Sequence, residues 1–187
     1  MKLLKYGING VLAVVVIFLA FWLTKIILDP IQFDKVYKVR QKATIQKLKD
    51  IRTAQKLYLQ SKGEYANDFN QLESFVKNET VATIKTIGDP EDTSIVVQYD
   101  TILEPVMEIG GFSNNFDPDK MRFIPFSEKQ FRLEAGEIEK QRVTIPVFVA
   151  EAVKEDYLAG LKPKFVTGKK DLQVGSLYEG TDAGNWE

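Results

Sequence analysis

The chain contains no cysteine and no histidine, and these two absences remove whole classes of chemistry. Without cysteine there is no disulfide, no thiolate metal site, no thiol nucleophile and no lipid-modified N-terminal Cys, and the redox compartment stays open. Without histidine the commonest general base and the commonest metal ligand are gone, so Ser-His-Asp, Cys-His and structural zinc arrangements are excluded. The phosphate-cradling patterns GxxxxGK[ST] and GxGxxG are missing as well, and Gly110-Gly111 reads as a turn. There is no internal repeat and no low-complexity segment. Carboxylates and lysines remain, but the acidic residues are scattered over strands and turns with no pair in defined proximity, which reads as solvated surface charge. The expectation is a protein that is not an enzyme and has no cofactor.

What the sequence does have is one long apolar run. Residues 6–24, YGINGVLAVVVIFLAFWLT, carry no charged side chain. At ~1.5 Å per residue they span about 28 Å of helix, close to the hydrocarbon core of a bilayer. Lys2 and Lys5 bracket one end, and Trp22 and Lys25 suit the opposite interface. A cleavable signal peptide is the alternative, but its apolar core is shorter and is followed by a small-x-small site, which FWLTKIILDP lacks. Gly7, Asn9 and Gly10 form a small polar patch suited to helix packing, too short to be a dimer motif.

Charge is unevenly placed within a formal net of −1. Lys2, Lys5 and Lys25 against Asp29 leave residues 1–33 at +2; eight basic residues against Asp34 and Asp50 leave residues 34–56 at +6; the remainder is −9. A basic segment beside a membrane can meet anionic headgroups or acidic partners, or be a solvated helix face. Contact with lipid or acidic protein accounts for it with fewer assumptions than nucleic acid does, so no nucleic-acid partner is expected. By the positive-inside rule, Lys35, Lys38, Arg40 and Lys42 argue for a cytoplasmic C-terminal part, although long domains translocate despite such charge.

Pro30 is expected to kink or briefly break the helix. A second helix is expected over residues 34–62, where Tyr37, Gln41, Thr44, Leu48, Ile51, Gln55 and Tyr58 recur at steps of four and three. Its Gln and Thr members specify a free-standing coiled coil weakly, and Val36, Ala54 and Leu57 widen the face, so the stripe is expected on the chain's own sheet, with helix pairing as the alternative. Gly63 should end this helix. Asp68 should cap a short one carrying Phe69, Leu72, Phe75 and Val76, with Gln71 as capping-box partner. Strands are expected over 81–87, 95–102, 121–126, 130–133, 143–150 and 172–178, and one helical turn over 155–160. The alternation Val143, Ile145, Val147, Val149 predicts one buried face, and Pro146 an edge or bulge. The fold class is thus α+β: a transmembrane helix continuing into an amphipathic helix packed on a C-terminal antiparallel β-sheet. The segments are an anchor (1–33), a stalk helix plus short helix (34–78) and a β-rich head (79–187).

Oxygen ligands for a hard cation occur only at Asn114, Asn115, Asp117 and Asp119, or at Asp89, Glu91 and Asp92, and neither loop is an EF-hand. Asx-rich turns arise for backbone reasons alone, so no metal site is assigned.

An apolar helix running into an amphipathic one, with Ala54-x-x-x-Tyr58, Gly63-Glu64-Tyr65 and a short helix bearing Phe69, Leu72 and Phe75, resembles the type IV pilins and the pseudopilins of type II secretion. The resemblance covers residues 1–77 in layout and residues 51–75 in its specific part. It implies a bacterial inner-membrane protein with a periplasmic domain, and partners among the bilayer, other envelope-assembly proteins and further copies of itself. The pattern departs in lacking the Glu inside the apolar helix and the Gly-Glu cleavage context, so processing as a prepilin and polymerisation as a major pilus subunit are not expected. The function expected is a non-catalytic, single-pass subunit of an envelope secretion or trans-envelope assembly, with Tyr37, Thr44, Leu48, Ile51, Tyr58 and Trp186 as candidate interaction residues. Two other classes stay open: a membrane-tethered binding module for a small ligand, glycan or calcium, and an anchored enzyme with a carboxylate pair.

Overall fold

The computed structural model describes residues 2–87 and 98–187. A single helix, α1, runs from Lys2 to Lys62 without interruption. Pro30 lies inside it, so of the expected kink or break, the break does not occur. Proline's fixed φ is itself helical, and the missing N–H removes one hydrogen bond without ending the helix. Residues 11–28 are exposed all round, and α1 is long and apolar enough there to cross a membrane. Gly63 ends the helix with φ +81°, its N–H donating to the Leu59 carbonyl at 2.8 Å, the left-handed closure that glycine takes without a Cβ clash.

The short helix α2 (Phe69–Asn78) is capped by Asp68, whose carboxylate accepts from the N–H groups of Asn70 and Gln71. The Gln71 side chain reaches back to the Asn67 N–H at 3.3 Å, one residue earlier than a capping box requires. Two sheets follow. In the first, β1 (Thr80–Ile87) pairs antiparallel with β2 (Gln98–Pro105). Helical turn α3 (Val106–Ile109) and a 3₁₀ turn at Pro118–Lys120 lead to the second, in which β3 (Arg132–Lys140), β4 (Val143–Ala152) and β5 (Leu172–Gly175) pair antiparallel with β4 in the middle. Two helical turns, α4 (Lys154–Tyr157) and α5 (Pro163–Val166), join β4 to β5.

The strand expected over 121–126 is a chain of turns instead. Pro125 cannot donate to a ladder, Phe126 sits at φ 63°, and only Phe123 and Gln130 form a bridge. β3 runs on to Lys140, well past residue 133. Part of the strand expected over 95–102, and the turn with Asp89, Glu91 and Asp92, lie outside the described residues. Pro146 faces only Glu137 of β3, because β5 reaches β4 no further back than Val149. The proline therefore stands where β4 is locally an edge.

The main core is built on the helical stripe. Leu48, Ile51 and Ala54 of α1 meet Leu72, Phe75 and Val76 of α2, Phe148, Ala150 and Ala152 of β4, and Leu172 and Val174 of β5. The β4 face in this core is the even-numbered one. Val143 of the expected odd-numbered face is 60% exposed, and Val147 and Val149 are buried outside the main cluster. β4 thus has two covered faces at its C-terminal end, where a strict alternation cannot tell which side holds the core. Val36 is exposed and adds nothing to the stripe.

Gln55 is the polar member that closes this core. Its amide Nε2 donates to the Ala66 carbonyl at 2.8 Å and its Oε1 accepts from the Ala66 N–H at 2.9 Å, with both residues fully buried. Gln55→Leu leaves two buried backbone groups unpaired, at about 1–3 kcal/mol each. We expect a loss of at least about 2 kcal/mol in denaturant unfolding of the detergent-solubilised chain, larger than for the exposed change Gln60→Leu.

Candidate functional site

The six candidate interaction residues do not form one outward face. Thr44, Leu48 and Ile51 have no exposed surface, and the Thr44 hydroxyl donates to the Arg40 carbonyl of its own helix at 2.9 Å. Tyr58 stands edge-on to Phe75 with ring centroids 5.1 Å apart. Tyr37 stacks on Phe33 beneath the Lys169 ammonium, 4.0 Å from its ring. Trp186 is half-buried against the core, and its indole N–H makes no hydrogen bond. The tail around it is docked: Gly184 bridges Val174, the Asn185 side chain donates to the Asp171 carbonyl at 2.9 Å, and Asn185 exchanges bonds with Gln173. The stripe of α1 is therefore occupied by its own domain.

What α1 leaves outward is charge. Lys35, Lys38, Lys42 and Lys49 are exposed, and at 100° per residue they fall on the side opposite Thr44 and Ile51. Other cations of the helix meet the acidic remainder of the chain: Arg52 with Glu187 at 2.8 Å, Lys56 with Asp182 at 2.5 Å and Lys62 with Glu79 at 2.7 Å. The hydrogen bond from Lys56 holds the Asp182 carboxyl below its usual range, and Arg52 does the same for Glu187. The charge asymmetry read from the sequence is thus partly neutralised within the molecule.

The loop after α3 packs on α1 and encloses a cleft of about 460 Å³ lined by Lys47, Asp50, Asn114, Asn115, Asp117 and Lys120 among others. Asp50 is buried, accepting from the Ser113 N–H at 3.1 Å and its hydroxyl at 2.7 Å. Lys47 donates to the carbonyls of Lys120 and Phe123, and burial lowers its pKa. Asp117 caps the 3₁₀ turn through the Asp119 N–H and pairs with Lys120 at 3.3 Å, while Asp119 pairs with Lys77. Two ammonium groups already stand where a cation would sit, and among the described residues no three carboxylates converge. The acidic turn is held by these pairs.

Two further clusters had no signal in the sequence. Glu73, buried on α2, receives two hydrogen bonds from Arg122, at 2.7 and 2.6 Å. It joins α2 to the segment after the 3₁₀ turn, a fork geometry that fixes orientation. At the other end of the head, Lys162 donates to Asp29 at 2.5 Å and Phe165 lies 5.1 Å from Phe33. Tyr157 is buried nearby and donates to the Lys170 carbonyl at 2.8 Å; burial, then the neighbouring Tyr37, raises its phenol above the usual range. Compared with protein-family models, curated proteins and solved structures, the chain matches none.

The tail clasp titrates. Asp182 and Glu187 have folded pKa values below their unfolded ones. Their contribution is complete above the unfolded carboxylate range of about 4 and is lost as pH falls through the lowered folded values. In a Trp22→Phe background, Trp186 emission should therefore shift to the red on acidification below about pH 4. Arg52→Gln combined with Lys56→Gln should bring the shift to higher pH.

Proposed function

We propose that the protein is a non-catalytic, pilin-like, single-pass subunit of a bacterial envelope assembly, working through protein contacts at the inner membrane with its head in the periplasm. The observation that carries this reading is the continuity of α1: one helix leaves an apolar stretch of membrane-spanning length and becomes, without a joint, the helix on which the head's sheet is laid. The helix end at Gly63 and the short helix with Phe69, Leu72 and Phe75 add to the likeness to pilins and pseudopilins. The face of α1 away from the head offers Lys35, Lys38, Lys42 and Lys49 to an acidic surface, and opposed charge of this kind sets orientation and on-rate in assembly. Acidic side chains of a second copy, such as Glu137 and Glu139 on the exposed edge strand β3, are one such surface.

Photo-crosslinkers placed at Lys42 and Lys49 in membranes at native expression should yield discrete adducts, with weaker adducts when Lys35 and Lys38 are changed to Glu. A solely monomeric band at every position would overturn the reading. Protease added to the periplasmic face of sealed vesicles should cut within the head, whereas full protection from that face would place the head in the cytoplasm.

A further inference from the structure

We propose that residues 161–170, which include α5, form a second membrane contact that seats the head on anionic lipid headgroups. This rests on the reading that the uncharged run of residues 6–24 spans the bilayer with Lys25 at its interface, because that reading fixes the height of everything near Asp29.

Asp29 is the first carboxylate after the apolar stretch, and Lys162 is bonded to it. Phe165 packs on Phe33, and the Lys169 ammonium lies over Phe33 at 5.6 Å and Tyr37 at 4.0 Å. The loop is thus pinned along positions 29–37 of α1, about 6 to 18 Å beyond Lys25 at ~1.5 Å per residue. The headgroup layer is about 5–8 Å deep on each side, so Asp29 and its Lys162 partner lie within it, and Phe33 and Tyr37 lie beyond it, where long lysine side chains reach back toward the charged surface.

The charge at this level is one-sided. Lys162, Lys164, Lys169 and Lys170 from the loop join Lys25, Lys35 and Lys38 of α1. The carboxylates near this level are Asp29, Asp34, Glu155 and Asp171, of which Asp29, Asp34 and Glu155 are paired with Lys162, Lys38 and Lys154. Asp171 accepts from the Lys154 N–H at 2.8 Å. Lys164 and Lys170 are exposed and make no ion pair among the described residues. The Lys164 ammonium lies over the Phe165 ring at 4.6 Å, and ammonium groups with no carboxylate partner, held near headgroup height, suit the phosphates of acidic phospholipids. The one aromatic side chain of the loop, Phe165, packs on Phe33 of α1, so the contact is electrostatic and superficial rather than an insertion.

The chain has no cysteine, so one engineered thiol reports on the loop alone. Gly168 is exposed and a Cβ there meets nothing within 4 Å, so Gly168→Cys carries an environment-sensitive fluorophore without strain. The full-length chain is placed in nanodiscs of phosphatidylcholine with or without about 30% phosphatidylglycerol, with nitroxide on a fraction of the headgroups. Strong quenching in the anionic discs is expected. Weakening is expected in zwitterionic discs, in about 1 M salt where the Debye length is about 3 Å, and in Lys164→Glu with Lys170→Glu. Each lysine removed should lower the seated-to-free ratio roughly fivefold. Equal, weak quenching in both lipids with the chain retained in the disc would overturn the second contact and leave the anchor standing. A chain that leaves the discs would remove the anchor itself. The salt series on the unmutated loop keeps the test valid if the double variant folds poorly.

Discussion

Everything in this molecule depends on α1 carrying two kinds of surface in one helix. Its first half presents fourteen large apolar side chains between Val11 and Leu28, each about half exposed or more, and leaving them in water costs on the order of 20 kcal/mol. Its second half turns Thr44, Leu48, Ile51, Ala54 and Gln55 into a core from which water is excluded. One helix cannot satisfy both demands in one phase. The apolar half needs cover from outside the chain, and the amphipathic half supplies the rest of the fold with its foundation.

That foundation explains why the head is assembled as it is. α2 returns along α1 because Gly63 closes the helix, and Gln55 fixes Ala66 as the chain turns. The two sheets are small, and the four-residue β5 leaves most of β4 with one neighbour. Stability at the tail then comes from electrostatic and backbone bonds, where Arg52, Lys56 and Asn185 hold the last residues against the helix and β5. The basic excess that looks in the sequence like a surface for partners is in part an internal clamp, while Lys35, Lys42 and Lys49 on the far side of α1 and Lys164 and Lys170 around α5 make no ion pair among the described residues.

Local grammar made the helical part legible. An uncharged run, a glycine stop and an aspartate cap each act within a few residues, so their meaning survives without knowledge of the fold. The α+β class followed from them together with the β-branched clusters. The second half of β3 was hidden because Gly136 and three glutamates look like a turn, and because its connection to β4 uses Gln141 and Arg142 at positive φ where glycine or asparagine is the usual signal. Alternation points to the odd residues of β4 as its buried face because it assumes one wet side. The ion pair of Asp29 with Lys162 joins residues 133 positions apart, and no pattern along the chain announces such a meeting.

The same contact bears on mechanics. A protein whose head hangs from a flexible linker loses the orientation of its anchor within a few residues. Here the helix runs on without a break and is braced by Lys162 and Phe165, so an angle imposed on its apolar half is inherited by the far end. Lys62 lies about 50 Å beyond Asp29 at ~1.5 Å per residue, and a tilt of about 20° carries it about 17 Å sideways. Changes in bilayer thickness or in the crowding of neighbouring helices would thereby be converted into displacement of the head.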